Sequence, residues 1–182
     1  MTNAHSIALK IAAGLWVVWG LVHIFAGIVI ISNPAAGAVA AVADAVDPAV
    51  LTGPYHEAAN ALINQHGFNL AWIGLTTLIA AVFIWRKSLL AAFIAGLVGG
   101  LADVGYFIFM DLGGFVHFMP GTVMTIFLAS AILLSLWVWM NRRPSPGPVP
   151  FLVPPQVLVY ATFRSKATGL FQPSAECRRR GL

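Results

Sequence analysis

Hydrophobic residues along this chain are gathered into four long runs, separated by shorter polar or glycine-rich stretches. The runs cover residues 7–31, 68–85, 88–110 and 119–140. An α-helix rises about 1.5 Å per residue, so about 20 residues cross a hydrocarbon core about 30 Å thick. These lengths predict four transmembrane helices. The expected fold class is therefore all-α, an integral membrane four-helix bundle.

The composition favours the same class of protein. Of the 182 residues, 59% are hydrophobic and only 9% are charged, whereas soluble domains carry about 25% charged residues. So little charge does not cover a water-facing surface, and we expect a lipid bilayer as the main partner. The net charge of +4 therefore does not indicate nucleic acid. A single cysteine, Cys177, excludes an intramolecular disulfide and dithiol redox chemistry.

The first hydrophobic run has an alternative interpretation as a secretory signal peptide. Lys10 would be its charged region, and Ala41-Val42-Ala43 resembles a small-residue cleavage site. However, the hydrophobic region of a signal peptide spans about 7–15 residues, and this run is longer and contains tryptophans. We expect a retained membrane helix.

The connection from residue 32 to residue 67 is long and contains no Lys or Arg. Asn33-Pro34 is a suitable start for a short alanine-rich helix. Thr52-Gly53-Pro54 predicts a second surface helix, which Gly67 would end as a C-terminal glycine. We therefore expect short surface helices in this first outer loop.

The C-terminal residues 144–182 differ in kind from the rest, because they hold seven of the eleven prolines. Proline disrupts helices, and this segment has no apolar run long enough to span a membrane. We predict a membrane domain over residues 1–143, followed by an extended or disordered Pro-rich tail.

The basic residues predict how the chain is threaded. Lys10 precedes the first run, Arg86 and Lys87 lie between the second and third, and all remaining cations follow Asn141. With four spans, all ten Lys and Arg residues fall on one side, which the positive-inside rule assigns to the cytoplasm. We expect a multi-pass protein of the plasma or inner membrane, with both termini cytoplasmic.

Two ionisable residues lie deep within the hydrophobic runs. At the helical rise, His23 is about 12 Å and Asp103 about 10 Å below the predicted outer surface. A lone carboxylate in hydrocarbon is costly, and an imidazole at the same depth would relieve that cost. We predict that the two form the core of a polar cavity in the outer half of the bundle. The other candidates for its lining and mouth are Tyr106, Asn69, Trp72, His66 and His117.

Such a cavity suits several ligands, and the sequence does not identify a cofactor. A His–Asp pair fits a proton relay, because histidine titrates near neutral pH. It also fits a metal site, with His23 and Asp103 as candidate ligands. A quinone headgroup or a small amphiphile are further options. The structural alternative is that His23 only bonds a carbonyl or threonine between helices.

The third run carries small residues at helical spacing, which let helix backbones approach closely. The residues predicted to pack against neighbouring helices are Ala92, Gly96, Gly99 and Gly100. This pattern predicts a central position for the third helix.

The sequence contains no His-Glu-x-x-His motif, glycine-rich phosphate loop or nucleophile constellation. The leading hypothesis is therefore a non-catalytic accessory or structural subunit, or a ligand-binding component, working with partners in a membrane complex. One alternative is a metal- or redox-cofactor-dependent membrane enzyme using His23 and Asp103. Another is a proton-coupled carrier of small molecules.

Overall fold

The structure is a computed structural model that describes residues 2–142. The predicted tail over 144–182 therefore lies outside the described residues. Secondary structure is 84% helical without strands in the part described, and four helices are long and apolar enough to cross a membrane. The predicted all-α membrane bundle is confirmed.

The helices follow one another in an up-and-down order. In chain order they are α1 (Asn3–Ser32), α2 (Ala35–Val42), a 3₁₀ turn (Pro48–Leu51), α3 (Glu57–Trp85), α4 (Leu89–Tyr106) with a π-helical turn (Phe107–Asp111), a kinked segment (Phe118–Thr122) and α5 (Val123–Asn141). The four spans are α1, α3, α4 with the π turn, and α5 with the kinked segment.

Polar side chains cap the starts of α1 and α4. The Thr2 hydroxyl accepts the His5 N–H at 3.3 Å at the start of α1. Ser88 accepts the Ala91 N–H at 3.3 Å at the start of α4. These caps satisfy N–H groups that have no partner within the helix. Just before Ser88, Lys87 adopts a φ of 70°, and this left-handed residue makes the turn from α3 into α4 tight.

The closest backbone approach in the bundle joins α1 and α3. A Cβ atom added at Gly74 would lie 2.5 Å from the Gly20 carbonyl oxygen, and one at Gly67 would lie 2.7 Å from Cγ2 of Ile30. Only glycine fits at these two contact points between α1 and α3. The small-residue pattern of the third run predicts that α4 is central, whereas the closest backbone contacts join α1 and α3.

Helix α3 differs from its prediction. The sequence suggests a surface helix that ends at Gly67 and a span that begins at Phe68, whereas the structure has one continuous helix from Glu57. Gly67 is buried against α1 with helical backbone on both sides. It therefore serves close packing and does not end a helix, so the outer connection contains only α2 and the 3₁₀ turn.

The two ends of the bundle carry opposite charge. We call one end the basic end; its described cations are Lys10, Arg86, Lys87 and Arg142. The Lys10 ammonium lies 5.2 Å from the Trp85 ring centroid, which places the start of α1 beside the end of α3. We call the other the acidic end, where the Ala45 N–H donates to the Phe115 carbonyl at 3.1 Å. That bond ties the two outer connections together.

Candidate functional site

A buried hydrogen bond between α1 and α4 forms the centre of the candidate site. The Trp19 indole N–H donates to Oδ1 of Asp103 across 3.2 Å. Trp19 is fully buried and Asp103 is only 3% exposed. An indole is a neutral donor, so this bond satisfies one carboxylate oxygen without supplying a charge.

His23 joins this site through the same tryptophan. Its ring stacks on the Trp19 indole with centroids 3.5 Å apart and planes inclined by 20°. Its Nδ1 lies 2.8 Å from the Trp19 carbonyl oxygen. Because a carbonyl only accepts, Nδ1 carries the proton and donates. Among the described residues no hydrogen bond joins His23 directly to Asp103, so Trp19 stands between the two residues that the sequence suggests as a pair.

The position of Trp19 follows from the helix. His23 is one turn after Trp19, which places both side chains on the same face of α1. Trp16 lies on that face as well, edge-on to Trp19 with ring centroids 5.8 Å apart. A Cβ added at Gly99 of α4 would lie 2.7 Å from Trp16 Cζ3. The small residue therefore lets α4 come close enough to bring Asp103 to the indole.

Two further polar groups adjoin this centre. The Thr125 hydroxyl of α5 approaches the Asp103 carboxyl group, but without the geometry of a hydrogen bond, and it has no other partner. His66 of α3 is exposed and lies within range of a charge on His23. The buried part of the site is therefore formed by α1, α4 and α5.

A second polar group lies between Asp103 and the acidic end. The Thr122 hydroxyl donates to Oδ1 of Asp111 across 2.5 Å, and Oδ2 of Asp111 is buried without a partner. Tyr106 lies within range of the charges of Asp111, Asp44 and Asp103. Among the described residues no hydrogen bond joins its hydroxyl to any of these three carboxyl groups.

Asp111 ends a π-helical turn that covers Phe107–Asp111. A π turn inserts a residue into the helical repeat and so rotates the residues that follow it. The facing segment Phe118–Thr122 is kinked, because Met119 has an extended backbone with a φ of −113° and a ψ of 123°. Asp111 and Thr122 meet where these two irregular segments face each other.

The remaining predicted residues lie elsewhere. Asn69 and Trp72 are exposed on α3 and bond to each other, with the Trp72 indole N–H donating to Asn69 Oδ1 at 3.1 Å. Neither is hydrogen-bonded to His23 or Asp103 among the described residues. His117 is exposed, and its backbone N–H donates to Oδ1 of Asp44 at 2.7 Å.

Three of the four small residues of α4 are glycines, and they face two different neighbours. Gly99 faces Trp16 of α1, whereas Gly96 and Gly100 face Ile132 of α5. Ala92 is buried as well.

A metal centre finds no support from the side chains present. Within residues 2–142, no three His, Cys, Asp or Glu side chains are grouped so as to hold a metal ion. His23 and Asp103, the two candidate ligands, are separated by the Trp19 indole.

Several residues of the site were not predicted from the sequence. Trp19 shares a helical face with His23, and that spacing was the available signal for it. Asp111 follows the third apolar run, and neither it nor Thr122 and Asp44 shows a periodic pattern. Their meeting depends on the irregular backbone of Phe107–Asp111 and Phe118–Thr122 and on the packing of the outer connections.

Comparisons with protein-family models, with curated proteins and with solved structures give no match for this chain.

Proposed function

We propose that this protein is a non-catalytic membrane component whose Asp103 takes up and releases a proton from the acidic end of the bundle. The observation that carries the proposal is the burial of Asp103 beside a neutral donor. A carboxylate in such surroundings is costly unless a proton or a cation neutralises it. Every described Lys and Arg lies at the basic end, which leaves the proton as the simplest partner.

The packing around Asp103 favours a proton over a larger ligand. Trp16 and Trp19 are both fully buried. The glycine at position 99 leaves no room for even one additional carbon atom beside Trp16. A proton needs no cavity, whereas a quinone or an amphiphile would have to displace these rings.

A series of polar groups supplies a route. Tyr106 is three residues after Asp103 and lies on the same face of α4. Asp111 and Asp44 are within charge range of Tyr106. Asp44 lies in the outer connection, beside the exposed His117. These groups offer successive donors and acceptors from the acidic end to the buried carboxyl group.

Other titratable groups face the same centre. His23 is stacked on Trp19, and His66 is near His23. We propose that the two imidazoles adjust how readily Asp103 exchanges its proton, through the Trp19 indole that contacts both His23 and Asp103.

The threading that accompanies this proposal places the basic end in the cytoplasm of a plasma or inner membrane. It rests on the positive-inside rule and on the gathering of the described cations at one end. Protons would then reach Asp103 from outside the cell. Membership of a larger membrane complex stays a prediction, which copurification from native membranes tests.

Infrared difference spectroscopy on the protein in lipid vesicles tests the proton site. A protonated carboxyl group has a C=O stretching band that a carboxylate lacks. We expect a band that appears on acidification of the wild type and is missing from Asp103→Asn. Asp103→Glu should restore the band at a shifted frequency. A restored band would show that the band is missing from Asp103→Asn because the carboxyl group is gone and not because the protein is misfolded. The matched control is Glu57→Gln, which removes an exposed carboxylate. An unchanged band in a folded Asp103→Asn variant would overturn the proposal.

A further inference from the structure

A groove runs along the membrane-facing side of the bundle between the first half of α4 and the second half of α5. Its volume is about 690 Å³, within the range of about 300–1,000 Å³ that is usual for ligand sites. It is separate from the Asp103 site, because its lining begins at Leu89 and ends at Arg142, towards the basic end.

Small residues of α4 form the floor of the groove. A Cβ added at Gly96 would lie 3.7 Å from the nearest Ile132 atom, so a side chain there would project into the space between the helices. Ala92 and Ser135 are buried and line the space. Its walls are the large and exposed side chains Leu90, Phe93, Leu97 and Trp139.

Polarity is confined to one end of this groove. The Ser135 hydroxyl donates to the Ala131 carbonyl at 2.8 Å, so its proton is directed to its own helix. Arg142 is the charged residue of the lining and lies at the basic end. The groove is therefore apolar along its length with a cation at its mouth.

No carboxylate of the described chain lies near that cation. The acidic residues within residues 2–142 all belong to the half of the bundle towards the acidic end; they are Asp44, Asp47, Glu57, Asp103 and Asp111. Arg142 therefore complements an anion that comes from outside this part of the chain. Arginine binds phosphate well because its planar fork of donors matches two phosphate oxygens.

We propose that this groove binds an anionic phospholipid, with one acyl chain between Phe93 and Trp139 and the phosphate on Arg142. An apolar transmembrane helix of a partner would fill the groove but leave the guanidinium without an anion. A phospholipid satisfies both the apolar walls and the charge. Basic pockets between membrane helices are recognised sites for anionic headgroups.

Native mass spectrometry of the full chain, released from vesicles of phosphatidylglycerol and phosphatidylcholine, tests the proposal. We expect the wild type to retain phosphatidylglycerol in preference to phosphatidylcholine. Arg142→Gln should weaken that preference about fivefold, which corresponds to about 1 kcal/mol. Arg142→Lys, which keeps the charge, should retain part of it. Arg86→Gln, a cation at the same end outside the groove lining, should retain all of it.

A second pair of variants tests the acyl-chain part of the site. Gly96→Leu places a bulky side chain in the groove, where a Cβ has ordinary space, and should abolish lipid retention in a folded protein. Gly14→Leu is the matched control, because a Cβ at Gly14 meets nothing within 4 Å. It should leave retention unchanged.

Photo-crosslinking identifies the occupant directly. A photoreactive residue at Phe93 should label lipid in native membranes. Equal retention of the two lipids, retention unaffected by Arg142→Gln, or crosslinks mainly to a protein segment would each overturn the proposal.

Discussion

Trp19 and Asp103 lie 84 positions apart in sequence, and a 3.2 Å hydrogen bond joins them in the interior of the bundle. The indole ring has two contacts, because its face stacks on His23 while its N–H reaches the carboxyl group. A change in the charge of Asp103 therefore acts on a ring that is in contact with an imidazole. The Trp19–Asp103 hydrogen bond therefore links the first spanning helix to the third.

The energetic value of this bond is measured by removing one partner and then both. Trp19→Phe leaves the Asp103 carboxyl group without its donor, so we expect it to lower the free energy of unfolding by about 1–3 kcal/mol beyond the loss of ring volume. Adding Asp103→Leu to that variant removes the unsatisfied group and should restore part of the stability. Denaturant titration in mixed micelles gives the coupling energy, expected at about 0.5–3 kcal/mol.

Trp139→Phe is the control for that series, because Trp139 is 53% exposed on α5. Its replacement should change the free energy of unfolding by no more than about 0.5 kcal/mol. If the effects of Trp19→Phe and Asp103→Leu simply add, the two residues are not coupled and Trp19 does not hold the site together.

The sequence predicts the depth of the site better than its contacts. Helical rise alone places His23 and Asp103 at similar depth, and both lie beside Trp19 in the structure. Helical spacing says which residues share a face, but not which neighbour that face meets. Asn69 and Trp72 share a face of α3 and simply bond to each other on its exposed side. Which neighbouring helix a side chain faces depends on how the helices pack, and the spacing of residues along one helix does not give that information.

The glycine crossing between α1 and α3 gives a prediction about stability. Gly74→Ala introduces a Cβ 2.5 Å from the Gly20 carbonyl oxygen, and a backbone atom there cannot move aside without separating the helices. We expect a loss of about 1–3 kcal/mol from this overpacking. Thermal unfolding in detergent measures the change.

Gly105→Ala is the matched substitution, since a Cβ there meets nothing within 4 Å. Alanine has the higher helix propensity by up to about 1 kcal/mol. The control should therefore be neutral or more stable than the wild type. Equal thermal stability of the two variants would mean that the α1–α3 crossing is looser than described.

The crossing of α1 and α3 shows which features of the fold the sequence does not predict. The apolar runs predict the four spans, since length and composition fix which segments suit a hydrocarbon core. They do not distinguish a glycine that ends a helix from one that admits a neighbour. Gly67 has the second role, since Ile30 of α1 packs against it. The hydrophobic pattern does not predict the π turn at Phe107–Asp111 either, because its residues are mostly apolar and would suit an α-helix equally well.

The hydrogen bond between Asp111 and Thr122 gives a prediction about local stability. Thr122→Val removes the hydroxyl that donates to Oδ1 of Asp111, and Oδ2 already has no partner. With neither oxygen satisfied, we expect the segment to open more easily, by about 1–3 kcal/mol. Hydrogen exchange of the amides over residues 107–122 should become faster.

Thr76→Val serves as the control, because the Thr76 hydroxyl donates only to the Trp72 carbonyl within its own helix, at 2.9 Å. Its effect should stay within about 0.5 kcal/mol. Unchanged exchange over residues 107–122 in Thr122→Val would contradict a structural role for the Asp111–Thr122 bond.

The proposed threading gives the last prediction, which cysteine labelling checks in intact cells. The chain has one cysteine, Cys177, so Cys177→Ser provides a background without thiols. In that background, Gly53→Cys and Leu112→Cys lie at the acidic end, where Gly53 has open space around it and Leu112 is 68% exposed. An impermeant maleimide added outside should label both.

Asn141→Cys at the basic end should react only after the membrane is permeabilised, because charged reagents do not cross the bilayer. The opposite pattern would place the basic end outside, and Asp103 would then exchange its proton with the cytoplasm.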